Sequence, residues 1–270
     1  MKEITVEVKV NPENYTIHIG HGIIEEISRF IASGNQKTKF AVITDTTVEK
    51  LHARKFVDRL SALGIDATLF TFPAGETSKT RKTKEMLEDA MLEKHFGRRA
   101  SIIAFGGGVV GDLAGYTAAT YMRGIPFIQI PSTVIAQADS SIGGKTGVDT
   151  PHGKNLVGAF HHPQRVFIDT ELLLTLDQRN YRSGLIEVIK HALIMDSDFF
   201  DFLEKNYDSI LDHKNPCFGE VMTELMRMNC RIKNEVVSRD SKEQNLRMIL
   251  NYGHTIGHAI EHLSGYSLLH

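Results

Sequence analysis

Ser101-Ile102-Ile103-Ala104-Phe105-Gly106-Gly107-Gly108-Val109-Val110-Gly111-Asp112 is the stretch on which the reading of this chain turns. Its first five residues are short, largely apolar and bounded by glycine, the pattern of a strand buried on both faces of a covered sheet. Three glycines follow at once. Without a Cβ, such positions let the backbone turn through positive φ and bring its amides within hydrogen-bonding distance of a phosphate. Gly106, Gly108 and Gly111 fit the spacing G-x-G-x-x-G and open a helix running from Asp112 through Ala114, Ala118 and Tyr121. An ordinary dinucleotide fingerprint would place an acidic residue about 20 positions further on, where this chain offers Phe127-Ile128-Gln129-Ile130. The stretch therefore reads as a phosphate loop of a different kind. The alternative is a glycine-rich turn packed for close strand–helix contact.

Working outward, Ile125 to Ile130 is a second apolar strand, and Pro131-Ser132-Thr133 supplies two hydroxyls suited to capping a helix or holding a cofactor. Asp139, Lys145, Lys154 and Asn155 then lie among Gly143, Gly144, Gly147, Gly153 and Gly158. Charged groups among many glycines predict a loop that presents cations to an anion, with a solvated surface loop as the plain alternative.

Upstream, Ile4 to Val10 and Tyr15 to Ile19 alternate apolar and polar residues, so the chain opens with two strands joined by a turn. Lys39 to Thr44 is another strand, ending at Asp45, a carboxylate placed either for a ribose hydroxyl or to cap the next helix. A helix to Leu63, a strand over 67–72, and a turn holding Glu76 and Lys79 before a helix to Gly97 complete an alternating pattern. Residues 1–170 are thus expected to be an α/β domain with a mainly parallel sheet. After Asp169 the helical period dominates, in Arg182 to Met195, Phe199 to Leu211, Glu220 to Val237 and Asn245 to Leu263, so 171–270 reads as an all-α domain.

The 270 residues carry a net charge of −2, which gives no reason to expect nucleic acid or an acidic membrane surface as partner. With two cysteines, Cys217 and Cys230, and no apolar run near membrane-span length, a cytoplasmic protein is expected. In the helical half, His254, His258 and His262 recur at i, i+4 and i+8, and His270 follows. Imidazoles one turn apart can share a divalent ion, and Glu187, among apolar neighbours, offers the carboxylate. The competing reading is a histidine-rich surface helix with Glu187 paired to Lys190 or His191.

Together, GGGVVGDLAGY, YMRG, PSTVIAQADSSIGGKTGVD, GKNLVGAF, GLIEVIKHALI and NYGHTIGHAIE resemble the 3-dehydroquinate synthase family, the sugar-phosphate cyclases of the shikimate pathway. The resemblance implies an NAD-dependent, Zn²⁺- or Co²⁺-requiring homodimer. Its reaction would turn 3-deoxy-D-arabino-heptulosonate 7-phosphate into 3-dehydroquinate and phosphate by transient oxidation, phosphate elimination, re-reduction and intramolecular aldol closure. The family pattern puts the metal on Glu187, His254 and His270, which moves His258 from ligand to the substrate phosphate. NAD would lie along Asp45, Glu76, Lys79, Gly107, Gly108, Asp112, Ser132, Thr133, Lys145 and Lys154. Substrate anions would be held by Arg123, Lys145, Asn155, Lys190, Lys233, Arg247 and Asn251, with Asp139 beside them and Arg123 reaching in from a partner subunit.

The rivals are a cyclase acting on glucose 6-phosphate, an iron- or zinc-dependent polyol dehydrogenase, and a non-catalytic nucleotide-binding fragment. Family members usually continue for several helices beyond the position of His270. Weakened metal binding and low activity are therefore expected of a 270-residue form.

Overall fold

A computed structural model describes residues 3–9, 14–34, 38–240 and 246–264. The strands are β1 Ile4–Val8, β2 Tyr15–Gly20, β3 Phe40–Asp45, β4 Ala67–Phe72, β5 Ser101–Gly106, β6 Phe127–Pro131, β7 Lys145–Thr150, β8 Gly153–Phe160 and β9 Arg165–Asp169. Seven of them form one sheet in the order β1-β2-β9-β6-β5-β3-β4, parallel throughout except for the antiparallel β1–β2 pair at its edge. The mainly parallel sheet expected from the alternating pattern is the one observed.

Every residue of β5 is buried, because both faces are covered. On one face Val42, Ile103 and Phe105 meet Ile27 and Ile31 of helix α1 (Ile24–Gly34), and also Phe56 and Leu60. Phe56 and Leu60 belong to a helix that begins as α2 (Thr46–Val48), passes through a wide turn at Glu49–Ala53, and continues as α3 (Arg54–Ala62). On the other face Ala41, Ile43, Ile102 and Ala104 meet Leu87 and Met91 of α4 (Arg81–Glu93), and Leu113 and Ala114 of α5 (Gly108–Thr120). Alternate residues of one strand thus feed two cores, as the period of two requires.

The helical half comprises α6 (Gln178–Met195), α7 (Ser197–Lys205), α8 (Tyr207–Leu211), α9 (Phe218–Arg239) and α10 (His254–Leu263). It packs against the β1-β2-β9 end of the sheet, where Tyr15, Ile17, Ile19, Val166 and Ile168 share a cluster with Tyr181, Leu185, Val188, Met222 and Leu225. The helix expected over 199–211 is broken at Asn206. The one expected over 245–263 is a tight turn, Leu246–Asn251, followed by α10, with Gly253 at φ +81° between them. No helix among the described residues is long and apolar enough to cross a membrane.

One expectation is corrected. The glycine-rich segment over 139–158 is a wide helical turn at Ala136–Ser140 followed by an antiparallel hairpin, β7 paired with β8. Its glycines serve close strand approach: Gly147 pairs with Gly158, and a Cβ on Gly158 would lie 1.9 Å from the Thr146 carbonyl oxygen. Glycine in a strand thus signals contact between backbones as well as turns.

Gly158→Ala should therefore lower stability by about 1–3 kcal/mol, the cost of overpacking a close contact. Gly97→Ala, where an added Cβ meets nothing within 4 Å, should change little. Urea-denaturation midpoints of the two variants check this.

Candidate functional site

Strands β3, β5, β6 and β9 are parallel, so their carboxyl ends share one edge of the sheet, and five predicted positions fall there. Asp45 closes β3, and its carboxylate accepts from the amides of Thr47 and Val48, so it caps the following helix. Gly107 and Gly108 turn the chain from β5 into α5, with Gly107 at the N-cap and no side chain capping that turn. A Cβ on Gly107 would come to 3.1 Å from the Thr133 methyl, and one on Gly108 to 3.2 Å from the Ser140 hydroxyl. Ser132 and Thr133 follow β6, and the Thr133 hydroxyl accepts from the Ala136 amide at 3.1 Å. The open N-terminus of a 13-residue helix beside a side-chain-free turn can receive a phosphate.

In front of this edge lies a cavity of about 540 Å³, lined among others by Asp112, Asp139, Lys145, Asn155, Lys190, Lys233, Asn251 and His254. Eight predicted residues from segments far apart in sequence thus face one space. Lys79 stands behind it, buried, with its ammonium 2.5 Å from Asp112 Oδ2 and 2.5 Å from Asn155 Oδ1. Asn155 adopts φ +56°, rare for a residue with a side chain, and its amide donates to Asp149 Oδ1 at 2.9 Å. Asp149, not singled out in the sequence, thus holds the strained residue in place. Glu76 and Lys154, 3.2 Å apart, instead line a neighbouring cleft of about 910 Å³. Arg123 is exposed, at φ +71°, and is not among the residues lining either space.

The metal candidates begin on α6, where Glu187 is buried and hydrogen-bonded to Lys190 one turn on. The ion pair offered as the competing reading is therefore formed. Glu187 also faces α10: its Oε1 lies 3.9 Å from His254 Nε2, a separation that two donors to one cation can adopt. Glu187 and His254 thus fit a shared divalent ion. His270 and the side chains of Arg247 and His258 lie outside the described residues.

Beneath lies a network in which Asp139, Lys190 and Lys233 were expected and Asn229 was not. Lys233 donates to Asp139 Oδ1 at 2.6 Å and also to the Asp139 carbonyl. Asn229, fully buried, donates to the Ala138 carbonyl at 2.6 Å and presents its Oδ1 to His191 Nδ1 at 2.8 Å. His191 Nε2 in turn lies 3.6 Å from Asp139 Oδ1. The available signal was the spacing of Glu187, Lys190 and His191 at i, i+3 and i+4 on one helix.

Burial pushes the Asp139 carboxyl up, but Lys233, His191 and Lys190 overcome it and hold the group well below the usual carboxylate range. Burial pushes the Asp112 carboxyl up, and Lys79 only partly reverses this. Burial opposes the charge on Lys79, yet Asp112, joined by Glu76 and Asp149, more than offsets it, so its pKa is raised. A proton on the Lys79–Asp112 pair is accordingly held tightly. Burial lowers the His191 pKa despite the pull of Asp139.

Models of known families match the chain as "3-dehydroquinate synthase N-terminal" over residues 69–183 and "3-dehydroquinate synthase C-terminal" over residues 184–270. A 3-dehydroquinate synthase of Desulforamulus reducens is 45% identical over 262 residues, covering 97% of this chain and 72% of that protein. Among solved structures, 2-deoxy-scyllo-inosose synthase complexed with carbaglucose-6-phosphate, NAD⁺ and Co²⁺ superposes with a TM-score of 0.88 at 28% identity, covering 98% of this chain and 72% of the other. ValA, the 2-epi-5-epi-valiolone synthase of Streptomyces hygroscopicus with NAD⁺ and Zn²⁺ bound, gives 0.86 at 29% identity, covering 97% and 71%.

Two consequences can be measured. Because the Asp139 pKa is lower in the fold than in the open chain, where about 3.9 is usual, its stabilising contribution is complete above that pH and lost as pH falls below it. Asp139→Asn should flatten the acid limb of stability, read from urea midpoints between pH 2 and 7. Lys79→Met leaves Asp112 with a carboxyl already pushed up by burial. That variant should therefore lose less stability as pH is lowered and Asp112 takes a proton than it does at pH 8, as thermal unfolding across the acid range would show.

Proposed function

The chain belongs to the 3-dehydroquinate synthase family, and on that premise we propose that it converts 3-deoxy-D-arabino-heptulosonate 7-phosphate into 3-dehydroquinate and inorganic phosphate. The observation that carries this reading is the convergence of Lys145, Asn155, Lys190 and Lys233 on the same cavity as His254, the partner of Glu187. An anionic sugar bearing a phosphate and a carboxylate needs at least two separate cationic seats, and this cavity has them.

When bound, NAD⁺ supplies reversible oxidation at C5 of the sugar, and a divalent ion on Glu187, His254 and His270 polarises the neighbouring oxygens, with no net redox change. Lys145 and Asn155 hold the phosphate through elimination, joined by His258 and Arg247. Lys190, Lys233 and Asn251 orient the carboxylate end. Lys79, bound to both Asp112 and Asn155, fixes the hairpin edge against the nucleotide side, so that the phosphate seat cannot shift independently of it. The dinucleotide is assigned to Asp45, Glu76, Lys79, Gly107, Gly108, Asp112, Ser132, Thr133, Lys145 and Lys154. Arg123, exposed and away from the cavity lining, is assigned to a homodimer contact that carries it into the partner's site. The protein is assigned to the cytoplasm.

The test is inorganic phosphate release from the substrate with NAD⁺ and Zn²⁺ or Co²⁺. Release that a chelator abolishes, without accumulation of NADH, is the expected outcome. Lys145→Ala should lower kcat by about 10²–10³, the usual cost of a lost charge-stabilising donor. Steady NADH formation without phosphate would make the chain a dehydrogenase instead.

A further inference from the structure

Among the described residues, ligand atoms of Asp139, Glu187 and His191 lie within 4.8 Å of one another. We propose that these three form an inner seat for a divalent transition ion, distinct from the one between Glu187 and His254 and sharing only Glu187 with it. Asn229 sets the tautomer of the His191 ring. Its Nδ2 donates to the Ala138 carbonyl, so its Oδ1 must face His191, and His191 Nδ1 must carry the hydrogen that joins them. In the neutral ring Nε2 is then a bare lone pair.

That nitrogen is fully buried, makes no hydrogen bond, and lies in a cluster with the Asp139 and Glu187 carboxylates. A lone pair facing carboxylate oxygens is repulsive unless a cation lies between them. Two donors about 2.1 Å from one tetrahedral ion stand about 3.4 Å apart. The separation of His191 Nε2 and Asp139 Oδ1 is 3.6 Å.

The outer face of the seat is neutralised by two ammonium groups, Lys190 on Glu187 and Lys233 on Asp139. They mark it as cation-binding in its present form. An imidazole with two carboxylates suits Zn²⁺ or Co²⁺ better than Mg²⁺. A bound ion takes over the charge of Glu187 and Asp139 and releases both ammonium groups toward the cavity they line.

The probe is Co²⁺ alone, soaked into crystals of the unaltered protein and located by anomalous scattering. A peak within bonding distance of His191 Nε2, with or without a second at His254, supports the inner seat. A peak at His254 with none at His191, or no peak at all, overturns it, and the first of these leaves the proposed function standing. In solution, calorimetry of His254→Ala should still show Co²⁺ binding, weakened no more than about 100-fold. Adding His191→Leu should abolish it, in protein whose near-ultraviolet circular dichroism matches the parent. Loss of all binding in His254→Ala alone would mean that the seat serves only the two lysines.

Discussion

One ammonium group, that of Lys79, holds the functional half of the molecule in register. It is buried between Asp112 at the start of α5 and Asn155 on the hairpin, while the Lys79 carbonyl accepts from the Asp149 amide at 2.8 Å. Three segments that the sheet does not connect directly are joined at a single residue. A buried pair of this kind adds little net stability over a well-packed apolar substitute, because desolvation offsets most of the attraction. What it does fix is geometry: the hairpin is set relative to α5 and its open N-terminus. The strained backbone of Asn155 is tolerated because Asp149 and Lys79 both require it.

Much of this arrangement was legible in the chain. β5 was readable because a strand covered on both faces has no polar residue to interrupt it, and the glycines after it could hardly serve anything but a turn or a close approach. Glu187 and the histidines of α10 were readable as a candidate metal set from spacing and apolar surroundings, but choosing His254 over His258 as a ligand came only by family resemblance, since a contact across two helices leaves no periodic trace. The hairpin was misjudged. Gly147 and Gly158 look like loop residues in sequence, and only their apposition shows that a side chain at either would strike the opposite strand. Asn229 was invisible for a related reason, because a buried amide orienting a buried ring is a feature of packing with no composition of its own.

The charges of the cavity are arranged in pairs that can change partners. Lys190 and Lys233 sit on the carboxylates of Glu187 and Asp139 while also lining the space where an anion would bind. The same groups therefore satisfy each other when alone and satisfy ligands when ligands are present. A cluster that is balanced internally tolerates burial, and it needs no large rearrangement to accept a cation on one side and an anion on the other.

The contacts that define the cavity span long stretches of chain: Asp139 with Lys233, Ala138 with Asn229, and Lys79 with Asn155 are separated by 94, 91 and 76 positions. Such contacts close only once distant segments have been brought together, because long loops must be ordered before they repay their entropy. The pocket thus has no existence in early folding species. A ligand arriving during synthesis finds nothing to bind, and its effect is confined to the finished protein, where it slows unfolding without hastening folding. Occupancy in this architecture acts on the lifetime of the native state, not on the route to it.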